Sequence, residues 1–150
     1  DCMSGDSGLH DALSAARLAA QLHSDLEISL VGPQTLITSL LNAEEQTVFN
    51  IVHADDVVLM SDKPSQVLRT KKQSSMAVSV ELLAEQKVDA AVSAGNTGAL
   101  MAIGYFRLKT IPGIDRPAIC SAIPAIGQQK YLLDLNYKNF RQLQQILLNH

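Results

Sequence analysis

The sequence predicts an α/β fold, a mostly parallel sheet with helices on both faces. Three observations point there. Short apolar runs of strand length alternate with longer runs of helix length. Turn and cap residues fall between them, as at Gly32-Pro33, Ser74-Ser75 and "SAGNTG" at 93–98. The 150 residues are 47% hydrophobic and lack Trp, enough for one domain with a real core. Strands joined through helices pair in parallel, because a parallel neighbour needs a long crossover.

The elements follow in order. Asp11 to His23 is Ala- and Leu-rich and reads as a helix with Asp11 in its acidic first turn. "LEISLVG", 26–32, alternates and then runs apolar into Gly32, as a strand does. Pro33 opens a helix through Leu41. "VFNIVHA", 48–54, is a second strand, and "DDVVLMSDKPS" a connection. "SQVLRTKK", 65–72, is a short helix or helical turn, and Ser74 or Ser75 caps the next helix, 75–87. "VDAAVSA", 88–94, reads as a buried strand. The helix Thr97–Leu108 follows, with Ala99, Leu100 and Ile103 expected against the sheet. "IPGIDRPA", 111–118, carries two turn signals, and Asp115 and Arg116 are placed to form a local pair. "ICSAI" and "YLLDL" are strands on either side of Pro124 to Lys130. "YKNFRQLQQILLNH" closes as a helix with Phe140, Leu143 and Leu147 on one side.

Several function classes are disfavoured. A net charge of -3 gives no basic footprint, so no nucleic-acid partner is expected. No apolar run reaches the roughly 20 residues of a membrane span. The start "DCMSGDSGLH" lacks the basic and apolar regions of a signal peptide. Cys2 and Cys120 are too few for a disulfide framework, which suits reduced core thiols and a cytoplasmic location. His10, His23, His53 and His150 are dispersed, so no metal site is expected; His53, at a strand end, reads as a satisfied polar residue.

The chemistry concentrates at "SAGNTG". In parallel sheets ligands collect where strands run into helix N-termini, and N–H groups there suit an anion. The stretch fits neither GxGxxG nor GxxxxGK[ST]. Asn96 and Thr97 add an amide and a hydroxyl, groups that can hold phosphate or stabilise an oxyanion. The plainer alternative is a tight turn for close helix–sheet packing. Arg69, Lys71 and Lys72 precede Ser74-Ser75, so cations converge on a second helix start. They suit phosphate, an acidic protein partner, or simply a solvated turn.

"VSAGNTGALMA", with "IPGIDRPA" downstream, resembles the signature of the bacterial phosphate acyltransferase of phospholipid synthesis. "DCMSGD" is similar to that family's D-x-M-G-G-D. "ISLVG" and "IVHADDVVLMSDKPSQVLRTKKQSSM" follow in the family's order, and "YLLDL" resembles the strand before its D-L-G-A-N. The likeness covers 1–135 and leaves 136–150 as a diverged or unrelated helical tail.

The resemblance implies an enzyme converting acyl-(acyl carrier protein) and inorganic phosphate to acyl phosphate. It implies a fold like isocitrate and isopropylmalate dehydrogenases, truncated here. A cytoplasmic homodimer at the inner membrane face is expected, with no metal or nicotinamide. Carried onto this chain, it makes Asn96 the catalytic residue. Ser93, Gly95, Thr97, Gly98, Lys71, Lys72, Ser74 and Asp6 become phosphate- or substrate-binding residues, although Asp6 also suits a helix cap. The chain departs from the pattern at Ser4, where the family has Gly, and at Asn136-Tyr137-Lys138 in place of G-A-N. The family's second glycine-rich motif is missing. The alternative is a non-catalytic fragment that keeps a dimerisation or carrier-binding surface.

Overall fold

The computed structural model describes residues 1–6, 8–115, 117–125 and 128–133. They fall into two compact units, 1–109 and 110 onward.

The first unit is a mixed α/β structure with a small parallel sheet. Helix α1 (Gly8–Leu22) buries Leu9, Leu13 and Ala16, spaced for one face, and keeps Asp11 in its first turn. Strand β1 (Ser29–Gly32) pairs in parallel with β2 (Asn50–His53), Ser29 opposite Asn50 and Gly32 opposite His53. The crossover that a parallel pair requires is supplied by α2 (Gln34–Leu40) and α3 (Glu45–Val48). Leu13, Leu30, Ile37 and Phe49 close a core between these elements. Full burial of a side chain like Leu13 or Ile37 contributes about 1.5–3 kcal/mol.

A second core joins three helices: α4 (Pro64–Thr70), α5 (Ser75–Ala84) and α6 (Thr97–Leu108). Val67, Met76, Val80, Ala99 and Ile103 meet there. Ser74 caps α5 by accepting from Ala77 N–H at 3.3 Å. The helix ends in a Schellman turn: Lys87 N–H reaches Leu82 O, Gln86 N–H reaches Leu83 O, and Gln86 takes φ 58°.

Several expectations need correction. Residues 88–94 are not a strand; the segment is irregular, and Val92 is 78% exposed. Among the described residues its only main-chain bond runs from the Asp1 amine to Val92 O at 3.0 Å, and one contact does not make a ladder. The parallel sheet therefore has two strands among the described residues. Ala99 and Ile103 are buried as expected, but against α4 and α5 rather than a sheet. The turn α3 went unforeseen, although Asn42-x-x-Glu45 carries its signal. Asn42 Oδ1 accepts from Glu45 N–H at 2.9 Å, and Glu45 Oε2 accepts from Asn42 N–H at 3.0 Å.

In the second unit, Pro112 and Gly113 (φ 88°) form a turn closed by Ile114 N–H to Ile111 O at 3.1 Å. Strands β3 (Cys120–Ala125) and β4 (Gln128–Leu133) pair antiparallel, Cys120 opposite Leu133. A strand pair joined by so short a connection must be antiparallel, so most of Pro124 to Lys130 is strand rather than a separating loop. Cys120 is exposed and not a core thiol, whereas Cys2 is buried. The expected closing helix at 137–150, the end of "YLLDL" and the partner Arg116 lie outside the described residues.

Candidate functional site

Two turns far apart in sequence lie on one another at the heart of the first unit. In the first, Gly5 holds φ 100° and Ser4 is buried. In the second, Gly95 lies against Ser4; a Cβ added there would stand 2.5 Å from the Ser4 Cβ and 2.9 Å from Met76 Cε. Only glycine permits that approach without a shift. A Cβ on Gly5 would in turn stand 3.3 Å from the Ala94 Cβ.

The Asp1 carboxylate joins the two turns. It accepts from the Ser4 hydroxyl, from Ser93 Oγ–H at 2.8 Å and from Met3 N–H at 3.2 Å. Ser93 Oγ then accepts from Gly95 N–H at 3.2 Å. Asp1 and Ser4, read in the sequence only as part of the "DCMSGD" likeness, were given no role at this site there. Ser93 and Gly95, expected to touch substrate, are spent on holding the turn.

Asn96 is 8% exposed and fully occupied. Its Oδ1 caps α6 by accepting from Ala99 N–H at 3.0 Å. Its Nδ2 donates to the carbonyls of Leu59 at 3.2 Å, Met60 at 3.1 Å and Asp62 at 2.9 Å. Thr97 and Gly98 behave differently. Both are exposed, and among the described residues neither N–H has a partner. They are first-turn donors of a 12-residue helix, where the helix dipole favours negative charge.

The expected cradle cations Lys71 and Lys72 line one small cleft together with Arg107. Lys71 Nζ bonds Val57 O at 2.6 Å and pairs with Asp62 Oδ2 at 2.7 Å, in the same loop that Asn96 holds. The Lys71 ammonium, with the Leu59 N–H, keeps the Asp62 carboxyl below its usual range. Lys72 is exposed and lines that cleft with Val67, Ile103 and Arg107. Arg107 lies ten residues along α6 from Thr97, about 15 Å at the helical rise. Ser74 is fully buried as the α5 cap and donates to Lys71 O at 2.8 Å. Asp6 is exposed and caps no helix among the described residues.

Two further polar groups prove structural. His53 Nδ1 accepts from Gln34 N–H at 3.2 Å, and Nε2 meets Asp55 Oδ1 at 2.7 Å. Arg17 grips Glu45 with two bonds, at 2.6 and 3.0 Å, and reaches Leu40 O at 3.0 Å. No group of three or more metal-ligating side chains occurs among the described residues.

The profile of a family described as "Fatty acid synthesis protein" matches residues 1–146. This chain belongs to that family. Relatives named phosphate acyltransferase, from Shewanella baltica (strain OS155) and Shewanella sp. (strain W3-18-1), are each 50% identical over 139 residues. A third of that name, from Shewanella sp. (strain ANA-3), is 49% identical over the same length. Each alignment covers 90% of the chain and 41% of the relative. This family member therefore spans well under half the length of the curated relatives it matches. Among its described residues no helix is long and apolar enough to cross a membrane.

Proposed function

We propose that this chain is the N-terminal portion of a phosphate acyltransferase that makes acyl phosphate for phospholipid synthesis from acyl-(acyl carrier protein) and inorganic phosphate. The observation that carries this is 50% identity over 139 residues to relatives of that name. In the reaction a phosphate oxygen attacks the thioester carbonyl. The C–O bond forms, the C–S bond breaks, and the carrier leaves as a thiolate that takes a proton. Phosphate is already anionic at neutral pH, so no strong base is needed. Positioning and oxyanion stabilisation are the protein's task.

The Thr97 and Gly98 N–H groups, with the Thr97 hydroxyl, are the groups we assign to the phosphate. Ser93, Gly95 and Asp1 keep that turn rigid from behind. Lys72, in the cleft it shares with Arg107 near the far end of α6, suits the acidic carrier protein better than the phosphate. Residues 1–135 would then be the acyltransferase portion and 136–150 a diverged tail. A dehydrogenase-like whole-protein fold, a homodimer, and a cytoplasmic location at the membrane face belong to the same reading.

Phosphate titration followed at the Thr97 and Gly98 amides tests the seat. Saturable shifts in the millimolar range are expected. Unmoved amides would remove the anion assignment. Phosphate-dependent release of carrier thiol by a polypeptide containing this segment, lost on Thr97→Pro, tests the reaction.

A further inference from the structure

The four bonds of the Asn96 side chain are all made within the protein. Both amide hydrogens are shared among three carbonyls of one loop, and the oxygen is committed to Ala99 N–H. A residue needed only to cap α6 would require the oxygen alone. The amide nitrogen is the surplus. It grips residues 59–62, a stretch with little structure of its own beyond Asp62 N–H to Leu59 O at 3.1 Å and Leu59 N–H to Asp62 Oδ2 at 2.8 Å. Lys71 grips the same loop from its other end, at Val57 O and the Asp62 carboxylate.

We propose that Asn96 is a positioning residue, whose amide fastens the 57–62 loop to the first turn of α6. The loop carries two exposed apolar side chains, Leu59 and Met60, and its carbonyls are thereby held at the start of the helix whose first N–H groups, Thr97 and Gly98, are open. Asn96 thus acts through the loop, not on the reacting atoms. Asparagine suits both duties, because one amide offers an acceptor and a donor pair. Aspartate keeps the cap and has no donors; serine keeps a cap, stays neutral and cannot reach three carbonyls. The fastening stands on these bonds alone; only what the loop is held against rests on the acyltransferase reading.

Amide hydrogen exchange on the full chain tests it, with Asn96→Asp and Asn96→Ser compared with the unmodified protein. In both variants exchange at Leu59 and Asp62 should rise by about tenfold or more, while Ala99 keeps its protection. Loop exchange within about twofold of the parent would overturn the proposal, since capping would then be the whole role. Uniform loss of protection across α1 and α5 in both variants would also overturn it, by making Asn96 a general stability residue. The same spectra, with inorganic phosphate added, separate the two readings. Where the parent binds phosphate at Thr97, Asn96→Ser should weaken it about fivefold, and unchanged affinity counts against positioning. Where the parent shows no phosphate shift, the anion seat fails and loop exchange alone judges Asn96.

Discussion

Gly95 lies so close to Ser4 that a Cβ on it would stand 2.5 Å from the Ser4 Cβ and 2.7 Å from its hydroxyl oxygen. Gly95→Ala should destabilise the protein by about 1–3 kcal/mol, the usual cost of overpacking a tight contact. Ser4→Gly clears the space at the loss of a hydroxyl bonded to Asp1. In the double variant the alanine should cost less than it does alone. The two changes should couple by about 0.5–3 kcal/mol in denaturant unfolding. Simple additivity would mean the turns move apart freely and do not form one unit.

Asp62 offers a pH-dependent test. The Lys71 ammonium and the Leu59 N–H hold its carboxyl below the ordinary 3.8, so the unfolded chain binds that proton more readily than the folded one. Its stabilisation is complete above the ordinary value and fades as pH falls through the lower, folded one. Glu45, held below its ordinary 4.5 by Arg17 and the Asn42 N–H, adds to the same acid slope. Unfolding midpoints followed from about pH 6 to about pH 3 should fall less steeply in Asp62→Asn than in the parent. Equal slopes would show that the Lys71 pair contributes nothing.

Gln86 sits in the left-handed region at φ 58°, just past the end of α5, and is exposed. A side chain there costs about 1 kcal/mol that glycine does not. Gln86→Gly should therefore raise stability by about 0.5–1 kcal/mol without touching the site. A lower thermal midpoint would mean that the gain in unfolded-chain entropy outweighs the relief.

What the sequence made legible was local. The helix starts at Ser74-Ser75 and at Thr97 were readable because cap and turn residues act within a few positions of themselves. The Pro112-Gly113 turn was readable because one glycine angle defines it. The roles of Asp1, Ser4 and the carbonyls of 59–62 were not, since Asp1 meets Ser93 across 92 positions, Ser4 packs against Gly95, and Asn96 reaches its carbonyls 34 to 37 positions away. Asn96 shows the difference well. Its presence at a helix start was visible, but its amide was expected to face a ligand and instead holds a loop. The segment 88–94 failed for another reason. Apolar composition reports only that a strand could be buried there, not that a neighbour is available to pair with it.

That segment gives the last prediction. Val92 is 78% exposed, and the flanking Ala90 and Ala94 are exposed too. Its main chain is bonded at one point among the described residues, from the Asp1 amine to Val92 O. Residue 2 turns the other way, with Cys2 N–H on Val31 O at 3.0 Å. An exposed apolar stretch with unpaired backbone invites pairing with another chain. Val92→Lys should leave stability within about 0.5 kcal/mol of the parent, as for any exposed position. It should also reduce self-association at micromolar concentration, because a charge at an open edge disfavours pairing. Val31, fully enclosed in β1, is the contrast: Val31→Lys should unfold the unit. Light scattering and denaturant unfolding on the same samples decide it. A large stability loss in Val92→Lys would mean that 88–94 is buried in solution after all, and an unchanged association would place the sticky surface elsewhere.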